Sequence, residues 1–492
     1  MTMAFKTTHS YLQLPESSFQ ACQPTPVADA QWIAFNQPLA TSLALPETYW
    51  LSAEGLSLFS GNQLPDWATP VAQAYAGHQF GHFVPQLGDG RALLLAEFSD
   101  EAGQRFDVQL KGSGPTPYSR GGDGRSPLGP VLREYLLSEY MARIGVPTTR
   151  ALAAVATGES VQRETAEPGA ILTRVASSHL RVGSFQFLLA KGDIDGLERL
   201  SEFTVQRHYP QLKQIDDDGQ RYLALLDAVI EKQVQLVTHW MSIGFIHGVM
   251  NTDNTSLSGE TIDYGPCAFI DEYRANQVFS FIDKRGRYAY NQQPAILHWN
   301  MARLAECLLP LIDNHKETAV QLATDLINAI PQRISAAWLE RMGAKIGLNA
   351  VRAEDKPLIE RLLQSFEQGQ VDFTLGFYQL ADELNKQTTP AALYADCTDF
   401  SGWRDDWQQR LSHSGQPLSE AERTMRACNV RRIPRNHQIQ AVIEAAYTDG
   451  DLRPFNALHA ALQDPFATAP EFDPFDQPPA APQRVTNTFC GT

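Results

Sequence analysis

An excess of basic residues is what this 492-residue sequence most clearly lacks, because 40 Lys and Arg stand against 56 Asp and Glu, a net charge of −16. Binding to nucleic-acid phosphates needs a basic face, so this balance argues against a broad nucleic-acid surface. The sequence also has no run of ~18 apolar residues, and its beginning has no apolar core of a signal peptide. We therefore expect no membrane span and a cytoplasmic location.

The six cysteines are scattered without C-x-x-C spacing, which excludes a zinc knuckle and a disulfide framework. Most are expected to be small core residues. Cys490 differs, because it lies in a Pro-rich C-terminal segment where a thiol would be exposed and reactive. The hydrophobic content of 43% is enough for one large core or two ordinary ones.

The most informative motif lies near the middle of the chain, where residues 247–254 read H-G-V-M-N-T-D-N and residues 263–265 read D-Y-G. Protein kinases carry H-R-D-x-x-x-x-N followed by D-F-G, in which the Asn and the second Asp bind magnesium ions. Asn254 and Asp263 occupy those two positions. The motifs therefore predict a protein-kinase-like fold with oxygen ligands for Mg²⁺ or Mn²⁺.

The catalytic position of this motif is rearranged. Kinases place their base two residues after the His, but here that position is Val249, which cannot accept a proton. A new carboxylate, Asp253, directly precedes Asn254. We therefore interpret Asp253 as the base of a rearranged phosphate-transfer site.

The N-terminal part is expected to be a mixed β/α lobe. Residues 78–111 are interpreted as a three-stranded meander that ends at Lys111, and a second strand group covers roughly 149–175. Apolar spacing after residue 127 predicts a helix to about Arg143 that carries Glu134. Lys111 and Glu134 resemble the kinase ion pair, because a lysine at the end of a buried strand needs a carboxylate partner.

The remainder of the chain is expected to be helical. Long helical patterns cover 220–243, 301–313, 317–345, 355–387 and 418–448, with a loop around 400 and an extended Pro-rich tail. The predicted fold class is α+β, with two kinase-like lobes. Its expected parts are an N-lobe with an N-terminal extension (1–190), a helical C-lobe (191–400), a C-terminal helical part (401–464) and the tail (465–492).

Several residues are suited to nucleotide phosphates. The turn Gly88-Asp-Gly90-Arg91 precedes the lysine strand, as a Gly-rich loop does in kinases, and a loop with several glycines and arginines follows that strand. Arg174 and Arg181 have guanidinium groups that bind phosphate oxygens well. If these two arginines contact the terminal phosphates, the nucleotide lies reversed and exposes its α-phosphate to attack.

Four stretches of this sequence resemble the selenoprotein O (YdiU) family. They are Y-A-G-H-Q-F-G-H-F at 75–83, Q-L-K-G-S-G-P-T-P-Y-S-R at 109–120, the H-G-V-M-N-T-D-N motif, and I-D-Y-G-P at 262–266. The likeness includes I-P-R-N-H at 433–437 and the cysteine near the end of the chain. Members of this family look like pseudokinases but transfer AMP from ATP to Ser, Thr or Tyr hydroxyls of proteins, and UMP transfer has also been attributed to them.

The resemblance implies a role for each matching residue. Asp253 would be the base, and Asn254 and Asp263 the ligands of Mg²⁺ or Mn²⁺. The phosphates would contact Lys111, Arg174 and Arg181. The nucleotide site would be completed by Gly88, Gly90, Arg91, Asp123 and Gly124. The implied partners are ATP, UTP where UMP is transferred, and proteins with acceptor hydroxyls.

Family redox control is thought to use a disulfide between the terminal cysteine and one in the segment after D-Y-G. Residues 271–293 contain no cysteine, so Cys267 is the nearby candidate partner for Cys490. Two other functions remain open: a kinase that transfers the γ-phosphoryl group, and a catalytically silent ATP-binding scaffold. Two roles for the C-terminal helices also remain open: they dock substrates, or they brace the active-site segment.

Overall fold

A computed structural model describes residues 5–384 and 390–489 as a mixed fold of one large antiparallel sheet and many helices. The strands are β1 Thr7–Thr8, β2 Phe19–Ala21, β3 Gln31–Phe35, β4 Val71–Gln73, β5 Gly77–Gln79, β6 His82–Val84, β7 Ala92–Ser99, β8 Arg105–Lys111, β9 Ser126–Pro127, β10 Arg150–Gln162, β11 Ala166–Ala176, β12 Phe245–Ile246 and β13 Ala268–Phe269. The α+β class is thereby confirmed.

The α-helices lie mostly after the sheet. They are α1 Gln37–Ser42, α2 Ala53–Phe59, α3 Leu128–Arg143, α4 Val182–Ala190, α5 Ile194–His208, α6 Asp218–Ser242, α7 Gln293–Ile312, α8 Lys316–Lys345, α9 Lys356–Gln368, α10 Phe373–Glu383, α11 Phe400–His413, α12 Leu418–Cys428, α13 Asn436–Asp449, α14 Arg453–Ala461 and α15 Asp473–Asp476. None of the described helices is long and apolar enough to cross a membrane.

The main sheet has the order β2-β4-β7-β8-β11-β10-β3, with β1 added to β7 and β9 added to β11. Strand β8 lies near its middle, between β7 and β11. Its apolar residues Val108 and Leu110 face the hydrophobic core, as strand alternation requires. Its polar residues Asp107 and Gln109 are buried too, and each bonds to a polar partner. The polar face of β8 is therefore buried against other polar side chains. Lys111, at the end of this strand, lines the cleft described below.

Helix α3 is held between the sheet and the C-terminal helix α13. The hydroxyl of Tyr447 on α13 accepts a hydrogen bond from the Gly129 N–H (3.0 Å) and donates one to Glu167 (2.6 Å). A side chain at Gly129 would collide with this hydroxyl, because its Cβ would lie 2.8 Å away. The C-terminal part thus braces the helix that carries Glu134.

Two hydrophobic clusters fill the interior of the described residues. The larger cluster spans the sheet, helices α3 to α8 and helices α13 and α14. The smaller cluster lies among helices α8 to α12 and contains the adjacent indoles of Trp403 and Trp407. These helices therefore form a packed unit of their own beside the main core.

The predicted helix to about Arg143, the strand group at 149–175 and the helix at 220–243 are confirmed by α3, β10–β11 and α6. The predicted first strand of the meander is wrong. Strand β7 pairs with β4 instead, and residues 77–84 form a separate hairpin of β5 and β6. This hairpin is hydrogen-bonded to the loop that contains Asp253: the His78 N–H donates to Thr252 Oγ1 (2.7 Å).

The helical patterns at 355–387 and 418–448 each prove to be two helices. Asp372 interrupts the first pattern by capping α10, where its Oδ1 accepts from the Leu375 N–H (2.8 Å); residues 385–387 lie outside the described residues. The expected loop around 400 is wrong, because α11 begins at Phe400 and buries both of its tryptophans. The apolar signal of this helix is a narrow stripe of one residue per turn, Phe400, Trp403, Trp407 and Leu411, among mostly polar neighbours.

The C-terminal segment also differs from the expectation of an extended chain. Residues 470–483 form short helical turns at Pro470–Phe472, Asp473–Asp476 and Ala481–Gln483. Asp476 is buried and forms an ion pair with Arg432, whose Nε lies 2.7 Å from its Oδ1. Arg435, from the I-P-R-N-H motif, is buried as well and pairs with Asp271 and Asp372 at 2.7 Å each. These contacts tie the tail and the C-terminal helices to the segment that follows D-Y-G.

Candidate active site

A cleft of about 500 Å³ opens where the ends of β7 and β8 meet the loop at 247–254 and the D-Y-G turn. This volume is typical of sites for small organic ligands. The cleft is lined by every residue that the sequence proposed for the base, the metal and the nucleotide: Gly88, Gly90, Arg91, Lys111, Asp123, Gly124, Arg174, Arg181, Asp253, Asn254 and Asp263. Residues separated by up to 175 positions thus share one site.

The cleft is cationic although the chain is strongly acidic. Seven Lys or Arg side chains and four Asp side chains are among its lining residues. Arg120, Arg125 and Arg163 were not singled out individually from the sequence, and they add cations at the mouth. A cationic cleft in a chain of net charge −16 points to an anionic ligand such as a nucleotide phosphate.

One end of the cleft is a network of charges around Glu134, which we call the phosphate end. Lys111 Nζ lies 2.6 Å from Glu134 Oε2 and 3.6 Å from Asp263 Oδ1. Arg174 Nη2 lies 2.6 Å from the other oxygen of Glu134. Glu134 itself is buried on α3 behind the two cations. It therefore fixes both of them and leaves their outer faces toward the cleft.

The charges at the phosphate end set the state of Asp263. Burial by itself would raise the pKa of its carboxyl, but Lys111 and Arg174 outweigh burial and hold that pKa well below its usual range. Asp263 is therefore ionised at neutral pH. Its backbone φ is 68°, in the left-handed region that Asp tolerates better than most residues. This turn directs the carboxylate at Lys111.

Arg181 lies between the two ends of the cleft. Its Nη2 is 3.3 Å from Asp89 Oδ1, and its guanidinium lies over the Tyr75 ring at 4.3 Å from the centroid. Its Nη1 also donates to the backbone carbonyl of Asp253 (3.1 Å). The side chain is buried and held by three partners, so its position is fixed before a ligand arrives.

The other end of the cleft contains Asp253, and we call it the base end. Asp253 Oδ2 accepts a hydrogen bond from Gln79 Nε2 (3.1 Å), while its buried Oδ1 has no hydrogen-bond partner among the described residues. Burial raises the pKa of this carboxyl to about 6. A side chain at Gly77 would place its Cβ 2.5 Å from Oδ1. The hairpin is therefore shaped to leave room for this carboxylate.

The hairpin β5–β6 holds the base end in place. The Phe80 N–H donates to Asn251 Oδ1 (3.1 Å), and Asn251 also accepts from the Tyr288 hydroxyl (2.5 Å). The Thr252 hydroxyl accepts a hydrogen bond from the His78 N–H and donates one to Gln186 Oε1 (2.6 Å). Both residues before Asp253 are thus locked by side-chain contacts.

Asn254 and His247 are ordered by backbone carbonyls. Asn254 Nδ2 donates to the Val249 carbonyl (3.0 Å), which leaves the amide oxygen as the atom that could meet a metal ion. His247 is buried, its pKa is lowered by burial, and its Nε2 lies 2.8 Å from the Ile262 carbonyl. It therefore joins the loop to the segment directly before D-Y-G as a neutral imidazole.

The donor set at this point fits a magnesium-type ion. An ionised carboxylate on Asp263 and an amide oxygen on Asn254 are hard oxygen ligands, and Mg²⁺ commonly takes few protein ligands together with substrate phosphates. Within residues 5–384 and 390–489 no group of three or more His, Cys, Asp or Glu side chains is arranged as a complete metal cage. Any metal held here would thus take its remaining ligands from outside this set.

The loop that follows β8 packs against the Gly88–Gly90 turn. Thr116 Oγ1 donates to the Asp89 carbonyl (2.7 Å), and the Tyr118 ring packs on Gly88, where a Cβ would lie 2.5 Å from the ring. Gly88 has a φ of 110°, which also favours glycine. Asp123 lies farther out and pairs with Arg163 at 2.9 Å. Turn and loop together form one wall of the cleft.

Cys267 lies away from solvent. Its thiol is buried and lies 3.2 Å from the Tyr264 carbonyl, and burial raises its pKa to about 12. Cys490 falls outside the described residues. The nearby Thr488 bonds through its hydroxyl to the Pro266 carbonyl (2.5 Å), one residue before Cys267. The disulfide between the two cysteines stays a prediction.

Sequence reasoning missed Gln79, Asp89 and Tyr75 as parts of the site. Gln79 and Tyr75 were quoted only within a family motif, and Asp89 only as the middle of a turn. Their contacts to Asp253 and Arg181 cross more than 90 positions of chain, so no local pattern could have revealed them. The arrangement as a whole is typical of enzymes that transfer phosphoryl or nucleotidyl groups.

Comparison with known proteins agrees with this class. A family model described as protein adenylyltransferase SelO matches residues 2–463. Two relatives named protein nucleotidyltransferase YdiU align over 100% of both chains: one from Bradyrhizobium diazoefficiens is 50% identical over 494 residues, and one from Rhodopseudomonas palustris is 49% identical over 495 residues. A third, from Rhizobium rhizogenes, is 50% identical over 487 residues, covering 98% of this chain and 96% of the relative.

The chain belongs to the SelO family of protein adenylyltransferases. The family resemblance drawn from the motifs is thereby confirmed, and with it the expectation of a nucleotidyltransferase.

Proposed function

We propose that the chain transfers AMP from ATP to Ser, Thr or Tyr hydroxyls of proteins and releases pyrophosphate, within a two-lobed, protein-kinase-like arrangement. The observation that carries this proposal is the contrast between the two carboxylates of the cleft. Asp263 is ionised among cations, whereas Asp253 is buried, half unpartnered and has a pKa of about 6. The surroundings of Asp263 suit a metal ion and phosphates, and the surroundings of Asp253 suit the transfer of a proton.

In this proposal the phosphates of ATP lie against Lys111, Arg174 and Arg181, with Arg91 beside them and Gly88, Gly90, Asp123 and Gly124 shaping the wall. Guanidinium and ammonium groups neutralise phosphate oxygens without reorganisation, because Glu134 and Asp89 already hold them in place. The terminal phosphates are bound by the two arginines, so the nucleotide lies in the orientation opposite to that in a kinase. The α-phosphorus is then the atom presented to the acceptor.

Asp253 is proposed as the general base. Asp253 lines the cleft, and its Oδ1 has no hydrogen-bond partner among the described residues. In the proposed step its carboxylate accepts the proton of an incoming hydroxyl as that oxygen attacks the α-phosphorus. A pKa of about 6 keeps this carboxylate mostly ionised at neutral pH and makes it a stronger proton acceptor than an ordinary Asp. Gln79 holds the other oxygen and orients the carboxylate.

Asp263 and the Asn254 amide oxygen would hold Mg²⁺ or Mn²⁺. Such an ion supplies charge neutralisation on the phosphates. UTP belongs to the proposal as a second donor, because the residues named here contact phosphates and none of them reads the base. The proposed parts are 1–190, 191–400, 401–464 and 465–492, and the proposed location is the cytoplasm, where five described cysteines would remain free thiols.

Mass measurement of the intact protein tests the proposal. The purified chain is incubated with ATP and Mg²⁺ or Mn²⁺, alone and with candidate acceptor proteins, next to Asp263→Ala. The proposal expects the mass increment of an adenylyl group, absent in the variant. An increment of a phosphoryl group would establish the kinase alternative, and no increment on any protein would favour a silent ATP-binding scaffold.

A further inference from the structure

A basic and aromatic lip borders the cleft beside the base end. We define the lip by seven residues: Phe83, Phe281, Ile282, Lys284, Arg285, Arg287 and Phe489. Ile282 lines the cleft together with Asp253 and Phe80, so the lip adjoins the place where an acceptor hydroxyl must arrive. The cations proposed to bind ATP lie inside the cleft, and none of them is part of the lip.

The lip concentrates exposed apolar side chains. Phe83 is 43% exposed, Phe281 42%, Ile282 55% and Phe489 60%, and they are four of the eight large apolar side chains exposed in the described part of the chain. The Phe281 and Phe489 rings contact each other, with centroids 5.0 Å apart. Scattered apolar residues need no explanation, but a grouped set at the mouth of a site is typical of a binding surface.

The lip also carries cations without acidic partners. Lys284, Arg285 and Arg287 form no ion pair with a carboxylate among residues 5–384 and 390–489. Lys284 lies over the Phe281 ring at 3.6 Å from its centroid. Asp283, which directly precedes Lys284, is buried, and its oxygens accept from the backbone N–H groups of Arg287 and Tyr288. The surface charge of this segment is therefore positive.

The lip is held rigidly against the base end. Tyr288 follows its cations and donates its hydroxyl to Asn251, two residues before Asp253. On the other side, the Phe281 N–H donates to the Thr488 carbonyl (3.0 Å), and the Thr488 N–H donates to the Phe279 carbonyl (2.7 Å). A ligand on this surface would thus be positioned relative to the carboxylate with little ordering cost.

We propose that the lip docks an acidic segment of the protein substrate that also carries aromatic or aliphatic side chains, and so delivers its hydroxyl to Asp253. This inference rests on the proposed function and adds the substrate class to it. Charge complementarity selects the acidic partner, because unpaired cations stand out from a chain of net charge −16. That same net charge disfavours a nucleic acid, which would meet repulsion beyond the lip.

Fluorescence anisotropy with three labelled probes tests the docking surface. The probes are a peptide of alternating Glu and Phe around a single Tyr, the same peptide with Lys for Glu, and a single-stranded oligonucleotide of matching length. We expect the acidic peptide to bind best. The double variant Lys284→Glu, Arg285→Glu should weaken its binding about tenfold, because two attractive charges become repulsive.

The matched control is Lys213→Glu, Lys316→Glu, which makes the same charge change at exposed positions outside the lip and should leave binding unchanged. Equal binding of the two peptides, or no loss in the lip variant, overturns the inference. So does oligonucleotide binding that is the tightest and is lost in the lip variant. Mass measurement on the acidic peptide separates the two claims, because binding without an adenylyl increment counts against the proposed function alone.

Discussion

The two ends of the cleft treat a carboxylate in opposite ways. At the phosphate end, Asp263 is surrounded by Lys111 and Arg174, and its pKa is held well below the usual range. At the base end, Asp253 has one neutral hydrogen-bond donor, Gln79, and burial raises its pKa to about 6. The difference teaches that environment, not residue type, sets the protonation of a carboxylate, and the two roles proposed here, a metal ligand at Asp263 and a proton acceptor at Asp253, rest on that difference.

The largest effect is expected when the phosphate end loses its own carboxylate. Asp263→Ala should abolish transfer, lowering the rate by at least about 10³-fold, because the proposed metal ligand disappears and Lys111 and Arg174 lose a counter-charge. Initial rates of nucleotidyl transfer measure this. The exposed Asp216→Ala is the control and should behave as wild type. Transfer within tenfold of wild type by Asp263→Ala would contradict its assignment.

The next effect comes from removing the base. Asp253→Asn should lower kcat by about 10²–10⁴-fold and change the Kd for ATP by less than about threefold, since the side chain is proposed to act on the acceptor. Titration calorimetry and steady-state kinetics separate the two quantities. Near-normal kcat would rule out the role as base.

The same variant should be more stable than wild type at neutral pH. The pKa of Asp253 is about 6 in the folded protein and about 3.9 in an unfolded chain, so its ionised form destabilises the fold above pH 6 by about 1–3 kcal/mol. This penalty shrinks as the pH falls from 6 to about 4, where the carboxyl is protonated in both states. In chemical denaturation at pH 7.5, Asp253→Asn should therefore show the larger free energy of unfolding, and this difference from wild type should vanish near pH 4.

An intermediate effect is expected from the carboxylate behind the phosphate end. Glu134→Gln should raise the KM for ATP by about 10–10²-fold, because Lys111 and Arg174 lose the charge that orients them. The acid limb of the pH–rate profile should stay in place. Glu139→Gln is the matched control on the same helix, since Glu139 is equally buried but pairs with Arg150 outside the cleft. A shifted acid limb, or an equal rise in KM for the control, would contradict the division between the two ends.

The smallest effect sharpens the base end. The hydrogen bond from Gln79 lowers the pKa of Asp253, so Gln79→Leu should move the acid limb of kcat/KM to higher pH and reduce the rate at pH 7 by roughly two- to tenfold. The KM for ATP should not change. Gln86→Leu, at an exposed position on the same segment, serves as control. An unchanged acid limb would show that Gln79 does not act on this carboxylate.

The sequence predicted the cleft better than it predicted the chain around it. H-G-V-M-N-T-D-N and D-Y-G have fixed spacing, and Lys111 and Glu134 follow from strand alternation and helical period, so their residues could be named in advance. Gln79 could not be assigned to Asp253, because a contact across 174 positions leaves no trace in local pattern. The hairpin that carries Gln79 was mistaken for a strand of the main sheet for the same reason.

The C-terminal helices show a second limit. Helix α11 buries Phe400, Trp403, Trp407 and Leu411 at helical spacing, but the residues between them are mostly polar, so this narrow stripe was overlooked. Arg435 would be expected on the surface from its type, yet it is buried between Asp271 and Asp372. Its partners come from distant segments, and only the folded chain brings them together.

Position-labelled ATP tests the central claim most directly. The chain and an acceptor protein are incubated in parallel with ATP radiolabelled on the α-phosphorus and with ATP radiolabelled on the γ-phosphorus, and protein-bound label is measured. The account predicts label from the α-position only, and its loss in Asp253→Asn. Label from the γ-position only would mean that the nucleotide is not reversed and that the two ends of the cleft have been given the wrong roles.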